Sequence, residues 1–160
     1  MTVHPIAPVF DGRSEILILG SFPSVKSREQ GFYYGHPQNR FWQVISHLYS
    51  LDVPVSTEQK KELLLSCRIA LWDVIGSCMI VGSSDSSIKN VTPNDVGIIL
   101  KESNIKKIFT NGKTAQKYYD RYLKEKLGIG AICLPSTSPA NAACSLERLF
   151  DEWGAIVKHN

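Results

Sequence analysis

The sequence predicts an α/β domain, a three-layer α/β/α sandwich around a four-stranded parallel sheet. Short apolar runs recur along the chain: Ile16-Leu17-Ile18-Leu19, then residues 68–75 (RIALWDVI), 105–110 and 129–134. Each suits a strand covered on both faces and is too short for a core helix. Between the runs lie stretches with apolar residues at helical spacing, such as Phe41, Val44, Ile45 and Leu48. Strands alternating with helices imply parallel pairing, with helices on both faces. The length of 160 residues, 43% hydrophobic and 21% charged, suits one domain over 1–160 that buries its core without staples.

In order, residues 1–14 read as an irregular surface lead-in from which Ile6, Pro8, Val9 and Phe10 pack inward. The first strand covers 15–19 and closes at Gly20. A long loop, 21–38, leads to a helix that starts near Phe41. Ser56 and Gln59 form a capping box for the next helix, ahead of Leu63 and Leu64. The second strand ends near Asp73. Residues 76–91, rich in Ser and Gly without periodicity, read as a long loop. Thr92 and Pro93 are expected to open the third helix as N-cap and first position. A third strand at 105–110 turns through Asn111-Gly112 into a helix lined by Tyr118, Tyr119 and Tyr122 and stopped at Gly128. The fourth strand, 129–134, is followed by a second loop, 135–143. A final helix carries Leu146, Leu149, Phe150 and Trp153 on one face.

Composition excludes several classes. Residues 1–12 have neither the basic nor the apolar region of a secretory signal, and no apolar run approaches the ~20 residues of a membrane span. A cytoplasmic location and no membrane partner follow as expectations. Cys67, Cys78, Cys133 and Cys144 form no C-x-x-C pair, and His4, His36, His47 and His159 form no metal-binding pattern, so neither metal nor cofactor is expected. A net charge of +3 with a pI near 8.7 permits a polyanionic partner without demanding one. Asp73 and Asp85 read as cap or turn residues, and Asp73, at a strand end, is a minor site candidate.

In a parallel sheet the loops that follow the strands emerge at one edge, so loops 21–38 and 135–143 are expected to share a crevice. Neither holds a nucleophile elbow, a P-loop or a dinucleotide fingerprint. They supply flat rings and neutral hydrogen-bonding groups instead: Phe22, Phe32, Tyr33, Tyr34, His36, Asn39, Ser136, Thr137, Ser138 and Asn141. That array suits a planar polar heterocycle, stacked and read along its edge.

GSFPS, YYGHPQNRFW, LWDVI, SSDSSI and LPSTSPAN together resemble the uracil-DNA glycosylase superfamily. The resemblance is nearest to its hypoxanthine-DNA (DNA-deoxyinosine) glycosylases, close to the mismatch-specific uracil enzymes. It runs from the first strand to the last helix. The chain departs from the mismatch-specific branch at Phe22, where that branch has an asparagine. It also lacks the aspartate and the histidine of the more efficient uracil enzymes.

The resemblance implies that Asn39 is catalytic, that Tyr34 stacks on an extruded base, and that residues 136–141 press into the DNA minor groove. Gly20, Ser21, Phe22, Gly35, His36 and Asn111 are the further base-binding candidates. Ser136, Thr137, Ser138, Pro139, Ala140, Asn141 and Lys113 are the DNA-binding ones. The implied partner is DNA carrying a deaminated base, met by a monomer.

The chemistry agrees, because an oxocarbenium-like sugar needs a positioned water and a stabilised leaving group more than a strong base. Asn39 can hold a water through its oxygen while donating from its NH₂. Asn39 is also placed to cap a helix, Phe41 and Trp42 suit the core, and His36 suits a structural role. Excision of hypoxanthine, with uracil as a second substrate, is the expectation. The alternatives are a mismatch-specific uracil glycosylase and an inactive module that binds damaged DNA.

Overall fold

The computed structural model describes residues 1–158; His159, counted among the histidines above, lies outside them. In chain order the elements are β1 (Thr2–Val3), β2 (Ile16–Gly20), α1 (Val25–Gln30), α2 (Phe41–Leu48), α3 (Thr57–Ser66), β3 (Ile69–Asp73), β4 (Ile75–Met79) and β5 (Lys89–Pro93). Then come α4 (Gly97–Glu102), β6 (Lys107–Asn111), α5 (Lys113–Tyr122), α6 (Lys124–Leu127), β7 (Ala131–Leu134) and α7 (Leu146–Trp153). Strands β3-β2-β6-β7, in that order, form the four-stranded parallel sheet.

β2 shows why two helical layers are needed, since all five of its residues are buried. Side chains alternate across a strand, so Ile16 and Ile18 enter one core and Leu17 and Leu19 the other. The first core holds Phe41 and Ile45 of α2, Leu64 of α3, and Leu149 and Trp153 of α7. The second holds Ile99 of α4 and Tyr118 and Tyr119 of α5. Burying each aliphatic side chain contributes about 1.5–3 kcal/mol, so truncating Leu17 to Ala costs about 2–5 kcal/mol.

The capping box before α3 is present, with Ser56 accepting from the Gln59 amide and Gln59 reaching back to the Ser56 amide. Four readings change. Loop 21–38 contains α1, capped by Ser24, which accepts from the Ser27 amide. The lead-in is tied down by β1 and by Val9, which exchanges both backbone hydrogen bonds with Leu71. Residues 76–91 are no plain loop, because β4 pairs with both β1 and β5 in a second, antiparallel sheet ordered β1-β4-β5. Most of their residues are only partly covered, so no apolar alternation marks them.

Thr92 and Pro93 end β5 rather than opening a helix, and α4 begins at Gly97. Strand β5 is at the edge of its sheet, where proline is tolerated. Asn94 then fastens the chain, its side-chain amide donating to the Asp73 and Ile75 carbonyls at 2.9 and 3.2 Å.

Candidate functional site

Sheet register decides what meets at the carboxyl edge. Gly20 pairs with Asp73, Leu19 with Thr110, and Asn111 with Leu134. Reading across, Asp73, Gly20 and Asn111 form a row, and the chain leaving β7 brings 135–138 to its end. A cavity of about 340 Å³ opens over this row, walled by both long loops and by residues 83–86 of the β4–β5 hairpin. The expected crevice between loops 21–38 and 135–143 is therefore present. The hairpin tip is held over it by two bonds to α1. The Val25 amide donates to Ser83 Oγ (2.9 Å), and Arg28 donates to the Gly82 carbonyl (2.6 Å).

Asn39 lines the cavity, and its orientation is over-determined. Its Oδ1 accepts from the Phe41 amide and from the Thr137 hydroxyl, both at 2.9 Å. Of the two ends of the Asn39 amide only the oxygen can accept from a backbone N–H, so the amide cannot be flipped. Thr137 is itself fixed by Asn111, whose Nδ2 donates to Thr137 Oγ1 and whose Oδ1 accepts from the Thr137 amide, each at 3.0 Å. This relay occupies both lone pairs of Asn39 Oδ1. Its NH₂ has no protein partner among the described residues and is the part offered to the cavity. Asn111 lines the wall, with its amide committed at both ends to Thr137.

Arg40, absent from the sequence-derived candidates, joins the two loops. Its guanidinium donates to the backbone carbonyls of Ser138 and Asn141, both at 3.1 Å, and to that of Cys144. Its amide donates to the Thr137 carbonyl (3.1 Å). Trp153 Nε1 holds the root of the same loop through the Pro135 carbonyl (2.9 Å). Gly112 is required beside it: at φ +98° it sits where a Cβ would come 3.0 Å from that of Ser136.

The same cavity is also lined by a buried carboxylate. Asp73 is 3% exposed and lines the cavity. One oxygen, Oδ2, is 2.8 Å from His4 Nε2. His4 Nδ1 accepts from the Ile6 amide (3.2 Å), so the ring is the neutral tautomer whose Nε2–H donates to the carboxylate. Oδ1 lies against Gly20, where a Cβ would collide with it and stand 2.9 Å from the Tyr34 hydroxyl. Glycine is what lets the three groups converge.

Tyr34 adopts φ 54°, the left-handed region, and its ring stacks on Phe41 with centroids 4.2 Å apart. Its buried hydroxyl has no hydrogen-bond partner among the described residues. Burial pushes that hydroxyl well above the usual tyrosine range and the Asp73 charge adds to it, with a smaller opposing pull from the nearby Asn111 amide. It is a proton donor at any physiological pH.

The remaining candidates separate by place. Gly20, Ser21, Phe22, Ser136, Ser138 and Ala140 line the cavity. Thr137 is fully buried behind Asn39. Gly35 and His36 stand off the cavity and shape the loop: the Gly35 amide donates to Ser27 Oγ, and His36 Nδ1 accepts from the Gln38 amide. Lys113 and Asn141 lie in an adjoining groove of about 560 Å³ with Arg148, continuous with the cavity through Asp85, Ser136, Ser138 and Ala140. Pro139 is half-buried at the loop tip.

Asp85, read as a turn residue, also rims the cavity from the exposed hairpin. Desolvation raises its carboxyl pKa, partly offset by the Thr114 and Ser21 hydroxyls. Among the described residues, no group of three or more His, Cys, Asp or Glu is placed to hold a metal ion, and no helix is long and apolar enough to cross a membrane.

The sequence matches the model of the uracil DNA glycosylase superfamily over residues 7–154. It is 37% identical to a hypoxanthine DNA glycosylase of Methanosarcina acetivorans and 34% identical to one of Methanosarcina barkeri. Each match covers 94% of this chain and 95% of the relative. A solution NMR structure of a Methanosarcina acetivorans protein assigned to the uracil DNA glycosylases superposes with a TM-score of 0.82 at 35% identity. It spans 96% of this chain and 95% of that one. With the family model matched over nearly the whole length and the fold shared, the chain belongs to the uracil DNA glycosylase superfamily and is a DNA glycosylase.

Proposed function

We propose that the protein removes hypoxanthine from deoxyinosine in DNA, with uracil as a second substrate, by hydrolysing the N-glycosidic bond and leaving an abasic site. The observation that carries this is the clamped amide of Asn39, with its oxygen saturated by Phe41 and Thr137 and its NH₂ left for the cavity. A donor held this way is pre-organised for charge that develops on a departing base. The water-holding role expected for the Asn39 oxygen has no free lone pair in this geometry, so Asn39 acts through donation.

Bond cleavage runs ahead of water attack, since the sugar can carry an oxocarbenium-like charge while the leaving lactam takes up the electron pair. Among the described residues no lysine lines the cavity. Without an amine to form an imine with the sugar, water is the nucleophile and the strand is left uncut. A cavity of about 340 Å³ is at the small end of ligand sites and suits one flipped base. The groove holding Lys113 and Arg148 is where the strand backbone would lie, and loop 136–141 would enter the minor groove. The Phe41-stacked ring of Tyr34 forms part of the base-side wall.

The test is release of base from oligonucleotides containing one deoxyinosine or one deoxyuridine, read as strand cleavage after alkali. Cleavage only after alkali, faster for deoxyinosine, supports the proposal. Faster release of uracil points to a mismatch-specific uracil enzyme, and retention of the damaged strand without release points to an inactive binding module.

A further inference from the structure

We propose that the Asp73 carboxylate, oriented by His4, is the acceptor that reads a deaminated base, taking the ring N–H of the lactam while the Tyr34 hydroxyl donates to the adjacent carbonyl. This rests on the glycosylase reading above and adds what that reading leaves open, namely how the base is recognised.

Three observations converge. Asp73 is a buried carboxylate at the cavity wall with one oxygen taken by His4 and the other turned to Gly20. The Tyr34 hydroxyl, buried and without a partner, approaches the same point. Both groups line the same cavity as Asn111 and the donor at Asn39.

A carboxylate oxygen at the cavity wall with no protein donor is satisfied by a ligand that brings a donor to it. The same holds for a buried hydroxyl and a ligand that brings an acceptor. One acceptor and one donor side by side are complementary to N–H beside C=O. Hypoxanthine presents that pair at N1 and O6, and uracil presents it at N3 and O4. Adenine and cytosine present the inverse, a bare ring nitrogen beside an amino group, so they would set acceptor against acceptor and donor against donor. Deamination swaps one pattern for the other, and a single carboxylate–hydroxyl pair detects the swap. Guanine shares the lactam edge, so the pair separates deaminated bases from adenine and cytosine only. A site that hydrogen-bonds a polar group rejects analogues lacking it far more strongly than an apolar pocket rejects a size change.

The experiment compares deoxyinosine with deoxynebularine, a purine lacking both the N1 proton and O6, in otherwise identical oligonucleotides. Single-turnover excision and equilibrium binding are measured for each. In Asp73→Asn the His4 Nε2–H still demands an oxygen, so the amide NH₂ is turned to the cavity and opposes N1–H. The deoxyinosine-to-deoxynebularine rate ratio should fall on the order of 10²-fold. Tyr34→Phe leaves the Asp73–His4 pair untouched and should lower the same ratio on the order of tenfold. It decides the matter if Asp73→Asn melts too early to assay. His4→Gln, which can still donate to Asp73, should keep more of the ratio than His4→Ala.

A ratio unchanged in both Asp73→Asn and Tyr34→Phe overturns the proposal, even if both rates fall together. Failure of the glycosylase reading is distinct: the parent protein would release neither base. The binding arm then still decides, since preferred retention of the deoxyinosine strand, lost in Asp73→Asn, supports lactam reading and equal retention refutes it.

Discussion

Replacing Asn39 by Ala and by Asp separates three roles that the same residue could fill. Asn39→Ala removes the acceptor of two hydrogen bonds, from the Phe41 amide and the Thr137 hydroxyl. At about 1 kcal/mol each the loss is about 2 kcal/mol. For a chain of this size, at about 2–4 °C per kcal/mol, the melting temperature should drop by about 4–8 °C. Loss of the pre-organised donor should slow excision on the order of 10²–10³-fold. Asn39→Asp keeps both accepted bonds and places a negative charge just before α2, where the helix dipole favours it, so its melting temperature should stay near the parent's. Its second oxygen, however, replaces a donor with an anionic acceptor at the departing base, and excision of deoxyinosine at neutral pH should be as slow as in Asn39→Ala. Paired thermal melts and single-turnover rates read both axes. An Asn39→Asp enzyme as fast as the parent, or faster, would show that the residue acts as an acceptor for water, and the donor argument would be wrong. An Asn39→Ala enzyme that melts early yet keeps the parental rate would reduce Asn39 to a cap.

Arg40→Ala should free the segment 138–144, seen as faster amide hydrogen exchange there and weaker DNA binding, because three backbone carbonyls lose their shared donor; unchanged exchange would sink the idea. Gly20→Ala should cut excision at least about tenfold by driving a methyl into Asp73 Oδ1, and a parental rate would show that the close approach is dispensable. Binding to an abasic-analogue duplex should weaken with salt along a shallow log–log slope, since few basic side chains line the groove; salt-independent binding would argue against backbone contacts. Burial raises the folded-state values of Tyr33, Tyr34 and Tyr49, the last to about 12, so their contribution to stability is complete below the unfolded tyrosine value of about 10. It should be lost as pH rises through the folded values, because the unfolded chain then gives up protons that the folded one keeps. Denaturant melts from pH 8 to 12 would show this as a decline that begins near 10, and a flat profile would contradict it.

The parallel sheet was legible because its strands are buried on both faces and announce themselves as short apolar runs, β2 most clearly. The small antiparallel sheet was not. Its strands are largely half-covered, and the other partner of β4 is β1, a two-residue strand about 75 residues upstream whose role no local pattern reveals. Thr92-Pro93 carried a sound helix-start signal and lost to tertiary context, with Asn94 fastening the chain to β3 before α4 could begin. At the site, the two loops were located by topology and Asn39 by resemblance. Arg40 was invisible because arginine after a loop reads as surface, whereas here it binds carbonyls of a loop about 100 residues away. Asp73 was demoted as a strand end, although in a parallel sheet the last residue of a strand already stands in the crevice. His4 had no signal at all, since only the β1–β4 pairing brings it there.

The distribution of charge in the site follows from what the reaction asks of each end of the substrate. In the proposed reading the breaking bond needs little acid–base power if it breaks before water attacks, and Asn39 would meet it with a neutral amide held by neutral groups, Thr137 and Asn111. In the same reading the base must be told apart by an N–H rather than a bare nitrogen, and the buried carboxylate of Asp73 would do so. A charged acceptor beside the departing lactam also opposes the negative charge that the base acquires, which lowers the rate. On that proposal Asp73 would be better suited to choosing the base than to expelling it, and Asn39 would stabilise the departure. Such a site gains selectivity at the expense of speed. Loss of the carboxylate should therefore harm discrimination against adenine before it harms stability, because the Asp73→Asn amide keeps its bond to His4 while inverting the pattern shown to the base.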